Sequence, residues 1–164
     1  MFRASLVILV ASLLLSSALA DEAQPSDASA HVLQAEIALS RGEYRRAAQE
    51  DRKAAEAGSD ISHARRATLV ADSFGFYDEA LRSAKRWLAL DPDNDLALGY
   101  LARIQLKTDD RRAARRNFKK LIEQGDGDHG QRLLALVQAL EDEDADDVFD
   151  IVTYLAKPYA DSAS

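Results

Sequence analysis

Three histidines are the side chains in this sequence best suited to bind a transition metal: His31, His63 and His129. A histidine metal site on a helix usually places two ligands at positions i and i+4. Here each histidine stands alone, near the start of a different predicted helix. The spacing therefore predicts no metal site, and no motif in the sequence calls for a cofactor.

A second candidate for chemistry is the stretch DGDHG at 126–130, which resembles part of a calcium-binding loop. A complete loop supplies further oxygen ligands and ends in a bidentate acid. Here an apolar helical run that includes Leu133 follows at once. We therefore expect a turn between two helices, with Asp128 as the N-cap of the second helix.

The sequence contains two charged runs of opposite sign: the acidic run EDEDADD at 141–147 and the basic run RRAARRNFKK at 111–120. The acidic run predicts a solvated turn, and the alternative is a docking site. Like charges four residues apart on a helix repel unless acids elsewhere or a partner offset them. The basic run therefore predicts either a solvated outer face or a contact with an anionic partner. Its two rows are Arg111, Arg115 and Lys119, and Arg112, Arg116 and Lys120.

The sequence contains no nucleophile–base pair, no set of metal ligands and no phosphate-binding loop, so we expect a protein that is not an enzyme. The 28 acidic side chains outnumber the 21 Lys and Arg, which gives a net charge of −7. This balance excludes a nucleic-acid partner, because phosphates require a basic surface. We expect a protein or peptide partner, and no small-molecule substrate.

The elements that must carry any site are helices, because apolar residues recur at three- and four-residue spacings and nowhere alternate with polar ones for long. The helices form pairs. The first helix of each pair is predicted over 31–41, 62–74, 95–107 and 129–141, and a second helix follows each of them.

A short phrase of glycine, tyrosine and alanine recurs at the start of the second helices, at intervals of about 34 residues. A fourth copy, 142–158, keeps the length but lacks the glycine and the aromatic residue. The copies are Gly42, Tyr44 and Ala47; Gly75, Tyr77 and Ala80; and Asp109 with Ala114.

A two-helix unit of this length, with Asp91-Pro92 after its second helix, resembles the tetratricopeptide repeat. The resemblance implies an all-α, right-handed α-solenoid of about four helical hairpins. The alanines let the helices of a hairpin approach closely, the glycines permit the tight turn, and Asp93 or Asn94 caps the next helix. Trp87 departs from the family pattern, which has a small residue there.

In this family the first helices line a concave groove that binds a segment of a partner. Val32 and Glu36 occupy the positions where some members grip a terminal carboxylate, so that clamp is not expected. The resemblance instead implies a cationic, partly apolar strip that suits a segment mixing acidic and apolar residues. The predicted groove residues are Glu36, Leu39, Arg65, Leu69, Asp72, Arg103, Lys107, Leu133 and Val137, with Val32 and Gly99 beside them.

The N-terminal residues 1–20 have the pattern of a secretory signal peptide: Arg3, an apolar run over 6–15, and small residues at Ala18 and Ala20. The alternative is an uncleaved anchor. We expect a flexible segment over 21–29, a repeat domain over 30–158, and a tail or the start of a further repeat over 159–164. The chain has no cysteine, which fits a bacterial periplasm, and we expect a periplasmic protein.

The resulting functional prediction is an exported protein–protein interaction module, an adaptor or scaffold of the bacterial envelope. The sequence resembles the N-terminal part of larger periplasmic and outer-membrane tetratricopeptide proteins of proteobacteria. The alternatives are a partial copy of such an adaptor without independent activity, or an enzyme with an unrecognised site. The apolar helix predicted over 147–157 indicates self-association through the C-terminal hairpin or continuation of the natural gene.

Overall fold

The computed structural model describes residues 27–124 and 128–160, and within these ranges every regular element is an α-helix. The predicted signal peptide and the last residues of the chain lie outside the described residues. The helices are α1 (Asp27–Ser40), α2 (Tyr44–Ala57), α3 (Ile61–Ser73), α4 (Tyr77–Leu90), α5 (Asp95–Lys107), α6 (Arg111–Gln124), α7 (His129–Ala139) and α8 (Ala145–Ala160).

The helices pair into four consecutive hairpins, α1 with α2, α3 with α4, α5 with α6, and α7 with α8. This confirms the all-α solenoid. The helical region begins at Asp27 and ends at Ala160, so it starts inside the segment predicted to be flexible and continues past Pro158.

The hairpins stack, since α3 packs on α2, α4 packs on α2, and α5 packs on both α3 and α4. The fourth hairpin is attached differently. Both of its helices contact α6, but within the described residues α7 packs on α6 far less extensively than α3 packs on α2 or α5 on α4.

The turns of the first three hairpins share one backbone geometry. Gly42, Gly75 and Asp109 have φ values of 73°, 71° and 60°, in the left-handed region that glycine enters freely and aspartate tolerates. The next residue donates a backbone hydrogen bond back into the first helix in each case, for example Phe76 N to Ala71 O at 2.8 Å. This is the Schellman motif, and it confirms the turns predicted from the glycines.

The helix starts also follow the sequence. Asn94 Oδ1 accepts a hydrogen bond from Ala97 N at 2.9 Å, and Asp128 Oδ2 accepts one from Gln131 N at 3.1 Å. Asn94, and not Asp93, is therefore the cap of α5. Asp128 is the predicted cap of α7, although residues 126 and 127 of the calcium-like stretch 126–130 lie outside the described residues.

The core is built from small residues where helices cross. Ala47, Ala80 and Ala114 are fully buried, as predicted for a close helix–helix approach. Trp87 is also buried, and it fits because the buried residues grouped with it are alanines. Those residues are Ala55, Ala64, Ala67 and Ala97.

Candidate interaction surface

All the predicted groove residues lie on the first helices α1, α3, α5 and α7, and we call the side of the solenoid that these helices form the inner face. Glu36, Arg65 and Val137 are exposed there. The other predicted groove residues are half-buried, namely Leu39, Leu69, Asp72, Arg103, Lys107 and Leu133.

Two of the three predicted groove cations are neutralised by acids of neighbouring repeats. Arg103 Nη2 lies 2.5 Å from Asp72 Oδ2, and its Nε lies 3.7 Å from Glu143 Oε1. Lys107 Nζ lies 3.5 Å from Asp72 and 3.4 Å from Glu143. Because two cations face two carboxylates, the prediction of a cationic strip is wrong at these positions. The inner face offers an acidic partner little net attraction here.

Arg65 differs from these cations, because it is exposed and makes no ion pair with the part of the chain that the structure describes. Glu36 is engaged elsewhere. It lies 2.5 Å from Arg66, whose Nε lies 3.0 Å from the buried carboxylate of Asp51. These contacts join α3 to α1 and α2, so Glu36 contributes to stacking of the first two repeats.

Acids of the fourth hairpin pair with Arg111 and Arg115 of the basic helix α6. The second basic row of α6 makes no ion pair with the described residues; it consists of Arg112, Arg116 and Lys120. Arg111 Nη2 lies 2.8 Å from Asp147 Oδ1, and Arg115 pairs with Asp150. Asp144 caps α8 by accepting hydrogen bonds from the backbone of the next turn. Acids of the fourth hairpin therefore meet cations of the third, and a docking site for a partner at the acidic run stays a prediction.

The histidines do not converge. His31 Nδ1 lies 2.7 Å from Glu50 Oε2, His63 lies 4.0 Å from Asp60, and the ring of His129 lies 4.8 Å from that of Tyr159. Within the described ranges, no group of three or more histidine or acidic side chains is arranged to hold a metal ion.

An apolar pocket of about 410 Å³ opens between α5, α6 and α7. Leu96, at its edge, is 52% exposed. Sequence reasoning missed this pocket. Gly99 was the available signal, because it has no side chain where the second and fourth repeats have the large residues Arg65 and Leu133. Its lining includes Leu96, Gly99, Tyr100, Phe118, Leu121 and Leu136.

Leu133 was predicted to lie in the groove beside Arg103, but it lines a different pocket. That pocket, of about 290 Å³, is formed with Ile122, Leu155 and Tyr159. Leu133 also packs against the core that joins α6 and α8. Leu136, three residues further along α7, borders the pocket that contains Arg103.

No helix within the described ranges combines the length and the apolar character that crossing a membrane requires. The predicted signal peptide lies outside those ranges.

Three comparisons with known proteins bear on the family. A family model described as tetratricopeptide repeat matches residues 74–148, whereas a comparison with curated proteins gave no match. Among solved structures, the chain is similar to the MamA protein, with a TM-score of 0.53, 13% identity, and coverage of 82% of this chain and 74% of that one.

The chain is also similar to the Sgt2 TPR domain from Aspergillus fumigatus, with a TM-score of 0.46, 19% identity, and coverage of 70% of this chain and 79% of that one. The likeness to MamA shows a shared fold. The family model assigns a tetratricopeptide repeat to residues 74–148, which run from the end of α3 into α8.

Proposed function

We propose that this protein is an exported interaction module of the bacterial envelope, an adaptor or scaffold that binds a segment of a partner protein on its inner face. The observation that carries the proposal is the inner face itself. It combines an open apolar pocket with exposed side chains at Arg65 and Val137. A preformed surface of this kind binds a segment at a modest cost in ordering.

The assignment to protein binding is supported by the tetratricopeptide match, since such domains bind proteins or peptides. Export is supported by the sequence pattern of residues 1–20. We further propose self-association through the fourth hairpin, where Phe149 and Leu134 are exposed.

The chain has no cysteine, so one introduced cysteine can carry a single photo-crosslinker. We would label Arg65→Cys and Val137→Cys on the inner face, and Arg82→Cys and Arg116→Cys as matched controls on the second helices. All four residues are exposed. Each labelled protein is illuminated in an envelope extract of cells that express it.

We expect both inner-face variants to capture the same partner, in competition with unlabelled protein, and the controls to capture far less. Equal capture by the controls would move the binding site to the other face, and no capture at any position would contradict the function. The intact mass of the purified protein tests export. Mature protein should begin at Asp21, and an N-terminus still at Met1 would contradict a cleaved signal peptide.

A further inference from the structure

Gly99 lies in the middle of α5, where glycine is a poor choice for the fold. Gly42 and Gly75 have positive φ values, but Gly99 does not. A Cβ built on Gly99 would meet only Leu121 Cδ2, at 3.9 Å, which is an ordinary contact. Neither backbone conformation nor crowding therefore requires glycine, and glycine weakens a helix interior relative to other residues.

What Gly99 does provide is empty space. The apolar pocket of about 410 Å³ lies beside it, and Ala139 of α7 borders the same space with only a methyl group. Phe118 and Leu121 of α6 also line the pocket. The sparse packing of α7 on α6 leaves room beside it, so the pocket results from both a missing side chain and the placement of a helix.

The chemistry of the pocket selects an apolar group. Leu96, Tyr100 and Leu136 provide carbon surface on its walls. Arg103 is the cation at its rim, and Asp72 and Glu143 neutralise that cation. An anionic ligand group would therefore lose its hydration without gaining a free cation, and Asp95, which also lines the pocket, would repel it.

We infer that this pocket receives one bulky apolar side chain, of leucine or phenylalanine size, from the partner segment bound on the inner face. The inference rests on the proposed function and adds the anchor to it. Fully desolvated apolar anchors in pockets carry much of the affinity at such interfaces, while charges set rate and specificity. Binding should then depend only weakly on salt, since Asp72 and Glu143 already balance the charges of Arg103 and Lys107.

The first test uses capped amino acids as probes, with N-acetyl-phenylalaninamide and N-acetyl-leucinamide against N-acetyl-aspartic acid amide. The methyl NMR signals of Leu96, Leu121 and Leu136 are followed in the full chain. We expect saturable shifts with the two apolar probes, at dissociation constants on the order of millimolar, and none with the acidic probe. The absence of saturable shifts with either apolar probe would overturn the inference.

The second test fills the pocket with Gly99→Leu. Since leucine is the better helix former, the melting temperature should be unchanged or higher, so that a loss of binding does not report unfolding. We expect at least about a tenfold loss of apolar-probe affinity, whereas Ala89→Leu, at an exposed position of α4, should have no effect. Retained binding in Gly99→Leu would overturn the inference.

Combining Gly99→Leu with the crosslinkers separates failure of this inference from failure of the proposed function. Reduced partner capture supports the anchor. Undiminished capture at Arg65→Cys and Val137→Cys overturns the anchor and leaves the inner face as the binding site. If the probes bind but no inner-face position captures a protein, both the partner anchor and the proposed function fail, and the pocket binds a free apolar ligand instead.

Discussion

At the scale of single residues, the neighbours Glu50 and Asp51 of α2 show how burial and charge compete. Burial raises the pKa of Glu50, but the hydrogen bond from Lys53 at 2.8 Å and the contact with His31 at 2.7 Å outweigh it and lower that pKa overall. Burial raises the pKa of Asp51, and the guanidinium of Arg66 at 3.0 Å does not compensate. The fold therefore favours the ionised form of Glu50 and the neutral form of Asp51.

These opposite pKa shifts predict opposite effects of neutral substitutions. The stabilisation from ionised Glu50 is present above its pKa in the unfolded chain and is lost as the pH falls through its folded pKa. The stabilisation from neutral Asp51 is present at low pH and is lost as the pH rises through its raised folded pKa. At pH 7, Glu50→Gln should lower the free energy of unfolding and Asp51→Asn should raise it, each by roughly 1 kcal/mol.

Urea unfolding of both variants at pH 7 and at pH 3 checks this prediction. Both differences from the natural protein should be smaller at pH 3 than at pH 7, because acid shifts both carboxyls towards their neutral forms. If Asp51→Asn destabilises the protein at pH 7 as much as Glu50→Gln does, the ion pair with Arg66 outweighs the cost of burial, and the sign for Asp51 is wrong.

At the scale of elements, the sequence predicted the features that depend on residues close together in the chain. The turns at Gly42, Gly75 and Asp109 and the cap at Asn94 are each fixed within about six residues, so spacing was sufficient to find them. The pairing of Arg103 with Asp72 joins residues 31 apart and depends on how the hairpins stack. For that reason the cationic strip was predicted wrongly and the pocket beside Gly99 was missed.

The ion pairs of Glu143 predict that this residue stabilises the packing of the fourth hairpin on the third. Its carboxylate is largely buried between Arg103 and Lys107. Glu143→Lys would replace two attractions by two repulsions in that cluster. We expect the free energy of unfolding to fall by roughly 1–2 kcal/mol, and hydrogen exchange to accelerate in α7 and α8 more than in the first two hairpins, since a repeat contacts only its neighbours.

Glu141→Lys is the matched control, because it makes the same change two residues away at an exposed position. It should alter stability by a few tenths of a kcal/mol at most. Equal destabilisation by the two variants would show that the overall acidity of the turn matters, and that the contact of Glu143 with Arg103 and Lys107 does not.

At the scale of the whole molecule, contacts between repeats run along the entire described solenoid. Arg52 of α2 lies 2.5 Å from Glu79 of α4, and Arg86 of α4 donates to the carbonyl oxygens of Ala55 and Gly58. Each hairpin therefore depends on its neighbours. The fourth hairpin carries the two most exposed large apolar side chains among the described residues, Phe149 at 73% and Leu134 at 66%, while Leu33 at the opposite end is 62% exposed.

Exposed apolar side chains on one hairpin favour burial against a second copy of the same surface, because a two-fold contact buries the same side chains in both copies and forms a closed dimer. We therefore expect a reversible dimer through the fourth hairpin at micromolar to millimolar concentrations, measured by sedimentation equilibrium. Phe149→Asp should weaken it at least about tenfold, because it places an unpaired charge at the centre of the contact.

Thr153→Asp, at another exposed position of α8, should weaken this dimer less. Leu33→Asp on α1, at the opposite end, should have no effect; a loss of association with Leu33→Asp would indicate end-to-end contacts, and a strictly monomeric protein at high concentration would contradict self-association altogether.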